Sequence, residues 1–413
     1  MMNIVGIISE YNPFHNGHLH QITEIKELFK NNVAVICLLS SDFVQRGEPA
    51  LLDKYARARM AISNGADMVL EYPTLFCCAT AEAYADNAVY ILNNIGIVDY
   101  ISYGCKSSDI DYVKIISSLL AYESNEYKEI LKAELSKGLS FPKARQHALI
   151  KLLNKSDTDI YKLSETLKSS NDILAIEYEK ALIRQKSNIL TVPIERTGSD
   201  YNDPYMKENF SSATAIRKYL LSEKVINNKD LADNLPPSTL KILEDYSEVK
   251  HFGSMDLFED LIIYSVVSRS EKQLKKFPLV NEGMENLLKK NVFSGNSVND
   301  FINACVNKRY PATRIQRLLI HILLGADKSI SGKYKRPGYV RVLACRDKSL
   351  LSMLSSKSSL PVITSLKKSY DDSDLNLKTL IEFENAACDI YNAVCLKDKS
   401  HYCNEFSVKP LFE

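Results

Sequence analysis

No stretch of this 413-residue chain approaches the roughly 18 consecutive apolar residues that a membrane-spanning helix needs, which excludes a helical membrane protein. The first apolar run, Ile4 to Ile8, is too short for a secretory leader and is followed at once by Glu10, Asn12 and His15, so no signal peptide is expected. Cysteine shows no pattern: nine are scattered, at 37, 77, 78, 105, 305, 345, 388, 395 and 403, with no CxxC. That argues against a disulfide framework and points to a reduced, cytoplasmic compartment. Cys77 and Cys78 have no partner ligands at metal-site spacing, so they are read as small buried hydrophobes, and no protein-held metal is expected. There is no excess of charge, since 52 Lys and Arg against 51 Asp and Glu leave +1 at pH 7. Any case for a nucleic-acid partner must therefore rest on local patches. The phosphate loop GxxxxGK[ST] is missing, as are internal repeats and any Cys-His-Asp pattern.

What remains is a globular composition, 45% apolar and 25% charged, over a length that favours two domains. In the first half, short Val- and Ile-rich runs alternate with longer 3.6-period patterns. Strands are predicted at 3–9, 33–39, 68–71, 99–103 and 188–194. Helices are predicted at 18–30, 54–64, 81–94 and 173–185, with a lysine-studded helical block from 109 to about 153. This order predicts an α/β fold, a Rossmann-like doubly wound parallel sheet whose ligand lies beyond the carboxyl ends of the strands. The polar segment 226–238 ends in Pro236-Pro237, which cannot continue a helix, and divides a first domain, 1–235, from a mostly helical C-terminal domain, 236–413. In the latter, Leu257, Leu261, Ile262 and Tyr264, then Ile315, Leu318, Leu319 and Leu323, recur at helical spacing, and one strand pair is predicted at 339–344 and 360–364.

Only seven histidines are present, yet His15, His18 and His20 fall within "SEYNPFHNGHLH", residues 9–20. Metal ligands on a helix sit at i and i+4. His15 and His18 are instead three apart, around Asn16-Gly17, where a loop turns into a helix. Pro13 fixes φ, Gly17 admits close backbone approach, and the helix start carries roughly +0.5 of an elementary charge, so an anion fits there. Two imidazoles, which donate hydrogen bonds whether neutral or protonated, would hold a phosphate and stabilise charge developing on it. His20 lies further along the helix and reads as a surface or packing residue.

A strand, then E-Y-N-P-F-H-N-G-H, then a helix resembles the HxGH signature of the nucleotidyltransferase superfamily, whose histidines sit on the phosphates of ATP. The superfamily's second signature, I-S-x-T-x-x-R, is matched by Ser211-Ser212-Ala213-Thr214-Ala215-Ile216-Arg217, in which a helix start and a planar guanidinium can grip phosphates. Further stretches are similar to the bacterial tRNA(Met) cytidine acetate ligases: "DFVQRGEPALLDKYARARMAISNGADMVLEYP" (42–73), "YISYG" (100–104), "SNDILAIEY" (170–178), "IERTGSDYND" (194–203) and, more weakly, "PGYVRVLA" (337–344) and "LPVIT" (360–364). The resemblance covers most of the chain. It implies an ATP-dependent ligase that forms acetyl-adenylate and pyrophosphate from acetate and transfers the acetyl group to N4 of the wobble cytidine of elongator tRNA(Met).

By the same resemblance the catalytic residues would be His15, His18 and Arg217. The ATP site would comprise Ile8, Ser9, Glu10, Tyr11, Asn12, Pro13, Phe14, His15, Asn16, Gly17, His18, Leu19, His20, Gln21, Gly104, Asn171, Arg196, Ser212 and Thr214, with Mg²⁺ bound through the phosphates. Ser41, Cys105-Lys106, Ser170 and Asp172 depart from the family pattern, around the adenosine and acetate contacts. Gln45 and Arg46, on the loop after the second strand, are acetate-binding candidates; the alternative is a structural loop in which Arg46 pairs with Asp42, Glu48 or Asp53.

A tRNA needs a basic surface. Residues 305–348 hold eleven Lys or Arg against two acids, Asp327 and Asp347, with Tyr310, Tyr334 and Tyr339 interleaved to stack on unpaired bases. Lys308, Arg309, Arg314, Arg317, Lys333, Lys335, Arg336 and Arg341 are the candidate tRNA contacts, and Lys272, Lys275, Lys276, Lys289 and Lys290 could extend them. Two other functions compete: a small-molecule adenylyltransferase, which needs no basic helical domain, and a non-catalytic RNA-binding protein that retains an ATP fold.

Overall fold

Runs rich in Val and Ile become strands here because a pleated surface covered on both faces suits β-branched side chains. The computed structural model describes residues 2–105, 110–153, 160–167, 169–195, 210–222, 226 and 228–412. Its strands are β1 (Asn3–Ser9), β2 (Val33–Ser40), the short hairpin β3 (Phe43–Val44) and β4 (Glu48–Pro49), β5 (Met68–Tyr72), β6 (Tyr100–Cys105), β7 (Leu190–Glu195), β8 (Val340–Cys345), β9 (Val362–Ile363) and β10 (Leu411–Phe412). Five lie parallel in the order β5-β2-β1-β6-β7. That is the predicted doubly wound sheet, with its switch point between β1 and β6.

Side chains alternate between two cores. Ile4, Ile36, Leu38 and Leu70 face the helices Ala81–Asn94, Ile110–Tyr122 and Ser170–Arg184. Val5, Ile7, Val35, Leu39 and Val69 face Asn16–Leu28, Lys54–Ser63, Ala213–Ser222 and Pro237–Val249. The helical block predicted from 109 is three helices, Ile110–Tyr122, Asn125–Ser136 and Phe141–Leu153. Its turns pass through left-handed residues, Glu123 at φ 42° and Gly138 at φ 78°.

The chain beyond Pro236 builds helices and also returns to the sheet. The predicted strand pair forms as parallel β8 and β9, and β8 docks antiparallel on β5 with β10 on its other side. A third core gathers Phe258, Ile262, Val266, Phe301, Ile315, Leu318 and Leu319 around Phe43 of the hairpin and Tyr391. Of the predicted positions 257, 261, 262 and 264, only Ile262 is buried: the inner face is Phe258, Ile262 and Val266, whereas Leu257 and Leu261 are 36% exposed and Tyr264 is 68% exposed. Eight of the nine cysteines are buried, Cys77 and Cys78 among them. No described helix is long and apolar enough to cross a membrane.

Candidate active site

The histidine loop leaves the carboxyl end of β1. His15 is the N-cap of helix Asn16–Leu28: its Nδ1 accepts the Gly17 N–H at 3.0 Å, and His18 Nδ1 accepts the His15 N–H at 3.2 Å. This is a capping box made by two imidazoles instead of a hydroxyl and a carboxylate. Because each Nδ1 accepts, the proton of the neutral rings belongs on Nε2, leaving that nitrogen as a donor. The rings stack at 3.8 Å between centroids. Tyr11, at φ 45°, is in a left-handed conformation that costs a non-glycine residue on the order of 1 kcal/mol. Packing against Phe14 and His18, each 4.8 Å from its ring, and a 3.3 Å contact between its hydroxyl and Cys37 Sγ hold it in place.

The second motif starts helix Ala213–Ser222, whose first turn is capped by Ser212 Oγ accepting the Ala215 N–H at 3.0 Å. One turn on, Arg217 makes a bidentate pair with Glu48 of β4, at 2.6 and 2.7 Å. Burial pushes the Glu48 carboxyl up, but the Arg217 guanidinium outweighs it and holds that carboxyl below its usual range. Glu10 behaves oppositely: burial raises it despite the Gln45 N–H that its Oε1 accepts at 3.0 Å.

Both motifs open into one cavity of about 790 Å³ at the carboxyl edge of the sheet. It is lined by Ile8, Ser9, Glu10, Tyr11, Asn12, His15, Gly17, His18, His20, Gln21, Gln45, Arg46, Gly104, Asn171, Thr214 and Arg217, so most of the predicted ATP and acetate residues meet there. Pro13, Phe14, Leu19 and Ser212 shape the site from behind, with Phe14 in the core and Ser212 as helix cap. Asn16 turns away, its Nδ2 donating to Asp233 O at 2.9 Å. Arg196 and Lys106 lie outside the described residues. Of the three carboxylates weighed as partners for Arg46, Asp42 accepts from Lys54 N, Asp53 pairs with Lys250, and Glu48 pairs with Arg217 while also feeling the Arg46 charge.

The basic stretch read as one surface is divided by the fold. Arg309, Arg314 and Arg317 line the cavity itself, because helix Ala312–Leu324 packs over the β3–β4 hairpin. Lys308, Lys333 and Lys335 are exposed. Arg336 pairs with Asp86 at 2.8 Å and lies over the Tyr90 ring, away from the histidines. Arg341 requires a correction: on β8, within the sheet, it is 4% exposed and bound to Glu405 at 2.5 Å and the Tyr55 hydroxyl at 2.7 Å, so it meets no RNA.

Arg57 falls inside the family-like stretch 42–73 without a predicted role, and it organises the site. Fully buried, it donates to the carbonyls of Leu52, Glu10, Ser40 and Ser41 at 2.6–2.8 Å, tying the ends of β1 and β2 to the loop bearing Gln45 and Arg46. Thr80, Tyr84, Arg145, Glu177 and Phe210 likewise line the cavity without a predicted role, and Glu48, expected only as a partner for Arg46, holds Arg217. Among the described residues no group of three His, Cys, Asp or Glu is placed to hold a metal ion.

Residues 2–405 match the model of the family described as HIGH Nucleotidyl Transferase. The tRNA(Met) cytidine acetate ligase of Clostridium perfringens is 40% identical over 397 residues, 95% of each chain, and that of Acetivibrio thermocellus is 38% identical over 404 residues, 96% of each. The apo crystal structure of Thermotoga maritima TmcAL superposes with a TM-score of 0.92 at 31% identity, covering 100% of this chain and 99% of that one. The same protein bound with alpha-thio ATP gives 0.89, with equal identity and coverage. This chain belongs to the HIGH nucleotidyl transferase family and, within it, to the tRNA(Met) cytidine acetate ligases.

Proposed function

We propose that the protein activates acetate with ATP and transfers the acetyl group to N4 of the wobble cytidine of elongator tRNA(Met). The observation that carries this reading is a single cavity lined by both phosphate motifs and by arginines of the C-terminal helical body, because acyl activation and transfer to RNA have to share one site. A carboxylate oxygen of acetate attacks the α-phosphorus in line. A P–O bond forms, the bond to the β-phosphate oxygen breaks, and pyrophosphate departs. His15 and His18, through Nε2, and the N–H groups of the two helix starts would stabilise charge on the departing group, while Arg217 would exchange Glu48 for phosphate oxygens. Among the described residues no carboxylate cluster is placed to hold a divalent ion, so Mg²⁺, where present, would arrive with the triphosphate and supply counter-charge to it. The cytidine amine then attacks the acyl carbon and AMP leaves, so no protein nucleophile is needed.

In this reading residues 1–235 carry the chemistry and 236–413 supply the RNA platform, while β8 to β10 complete the sheet. Lys308, Arg309, Arg314, Lys333 and Lys335 are the proposed RNA-facing cations, and the cytoplasm, where tRNA is found, is the proposed location. The deciding experiment is acetate-dependent exchange of labelled pyrophosphate into ATP. His18→Asn retains an oxygen near the position of Nδ1, and so the cap, but loses the Nε2 donor. Exchange is expected to fall by about 10²–10³, with a stability change under about 1 kcal/mol. Exchange that needs an acceptor other than acetate would favour a small-molecule adenylyltransferase instead.

A further inference from the structure

Among the described residues the buried cations other than Arg317 are held by acids or by several carbonyls. Lys54 lies 2.7 Å from Glu71 and 3.0 Å from Glu405, Arg57 is spent on four carbonyls, and Arg341 is bound to Glu405. Arg317 breaks the rule. It is 9% exposed and lines the cavity. Among the described residues its one hydrogen bond is long, Nη1 to Gln45 O at 3.5 Å, and its Nε is buried with no acceptor. Its electrostatic neighbours are the Cys78 thiol, which burial pushes up to about 12, and two more cations, Arg314 and Arg46; among the described residues it makes no ion pair with a carboxylate. A desolvated guanidinium facing a cavity calls for an anion.

We propose that Arg317 is the anchor for the carboxylate of acetate, an assignment that rests on the functional reading above. Its position is fixed by direct contact between backbones. Gly47 sits at φ 83°, and a Cβ there would fall 2.2 Å from Arg317 N and 2.4 Å from its Cα. The hairpin that carries Gln45 and Arg46 is therefore seated on the Arg317 main chain, and the three residues line the same cavity. Depth selects acetate over an RNA phosphate. The Arg309 side chain is 61% exposed and pairs with Glu282, Arg314 lies over the Tyr310 ring and reaches Asn281, and Arg317 lies deepest. A polynucleotide backbone can follow the outer two, whereas a two-carbon anion can reach the third.

The planar guanidinium fork suits a carboxylate, and a contact to one oxygen leaves the other to attack phosphorus. Once the mixed anhydride forms, the acetyl group is neutral and the ion pair is gone. Arg317 thus acts on ground-state binding, and its loss is expected to appear in the KM for acetate more than in kcat.

The test uses the full-length protein. Acetate-dependent pyrophosphate exchange is measured for wild type, Arg317→Lys and Arg317→Gln, with ATP affinity measured without acetate and tRNA affinity by filter binding. Arg317→Gln is expected to raise the acetate KM by about 30-fold or more, with ATP and tRNA affinities within about twofold and partial recovery in Arg317→Lys. A folded Arg317→Gln with unchanged acetate KM overturns the assignment, as does one whose loss is in tRNA affinity alone. Should both variants unfold, butanedione modification of wild-type arginines decides: acetate must slow labelling of Arg317 and leave Arg309 unaffected, and equal labelling refutes the proposal. Absence of acetate-dependent exchange in wild type would instead overturn the functional reading itself.

Discussion

Glu48 competes with the ligand that Arg217 is proposed to bind, since the guanidinium that would grip phosphate is occupied by that carboxylate at 2.6 and 2.7 Å. Glu48→Gln should therefore bind ATP more tightly, as read by calorimetry, while folding less stably. The sign of the pH dependence follows from the depressed carboxyl. A folded value below the ordinary 4.5 means that the stabilisation is present above pH 4.5 and is lost as pH falls through the folded value. Urea unfolding is expected to show the variant about 1–3 kcal/mol less stable at neutral pH, with the gap closing in acid. At this scale the sequence was half legible. His15 and His18 stand out because cap and chemistry both dictate their type and spacing. Glu48 and Arg57 do not, because a carboxylate or an arginine acquires its role from partners brought near only by folding. Glu48 meets Arg217 across 169 residues, and Arg57 reads as one more charge on an amphipathic helix.

Elements were more legible than their partners. The five parallel strands and their helices announce themselves through local periodicity. The docking of β8 on β5 does not, because period-2 alternation states which faces are buried and not which neighbour is hydrogen-bonded. Helix Leu375–Cys395 shows how such long-range docking is secured. Its Glu384 accepts from the Thr74 N–H at 2.7 Å and the Thr74 hydroxyl at 2.8 Å, at the start of helix Thr74–Cys77. Burial and the nearby Glu71 carboxylate push Glu384 up to about 7. A raised value reverses the sign: its contribution is intact below the ordinary 4.5 and is lost as pH rises through about 7. Glu384→Gln, which cannot ionise, is expected to gain on the wild type by up to about 3 kcal/mol between acidic and mildly alkaline pH, as read from urea midpoints across that range.

For the whole molecule, a net charge of +1 means that tRNA is not drawn in by a global field. Affinity has to come from a few local cations, and the linear charge run overstated them because the fold buries Arg341 and turns Arg336 onto Asp86. Replacing exposed Lys333 and Lys335 with Gln is expected to weaken tRNA binding at low salt and to flatten the dependence of log affinity on log salt by about one unit per lost phosphate contact. An unchanged slope in filter binding would place the RNA elsewhere on the molecule. The near-neutral whole also bears on how the protein is made. Lys54, at the start of the helix behind the acetate loop, is 3.0 Å from Glu405, and Tyr55 hydrogen-bonds the same carboxylate across 350 positions of chain. During synthesis the amino-terminal half is made long before residue 405, so Lys54 cannot meet this one of its acids until that residue has been added. A shortened product would carry His15 and His18 and leave Lys54 and Tyr55 without the Glu405 carboxylate that both contact here.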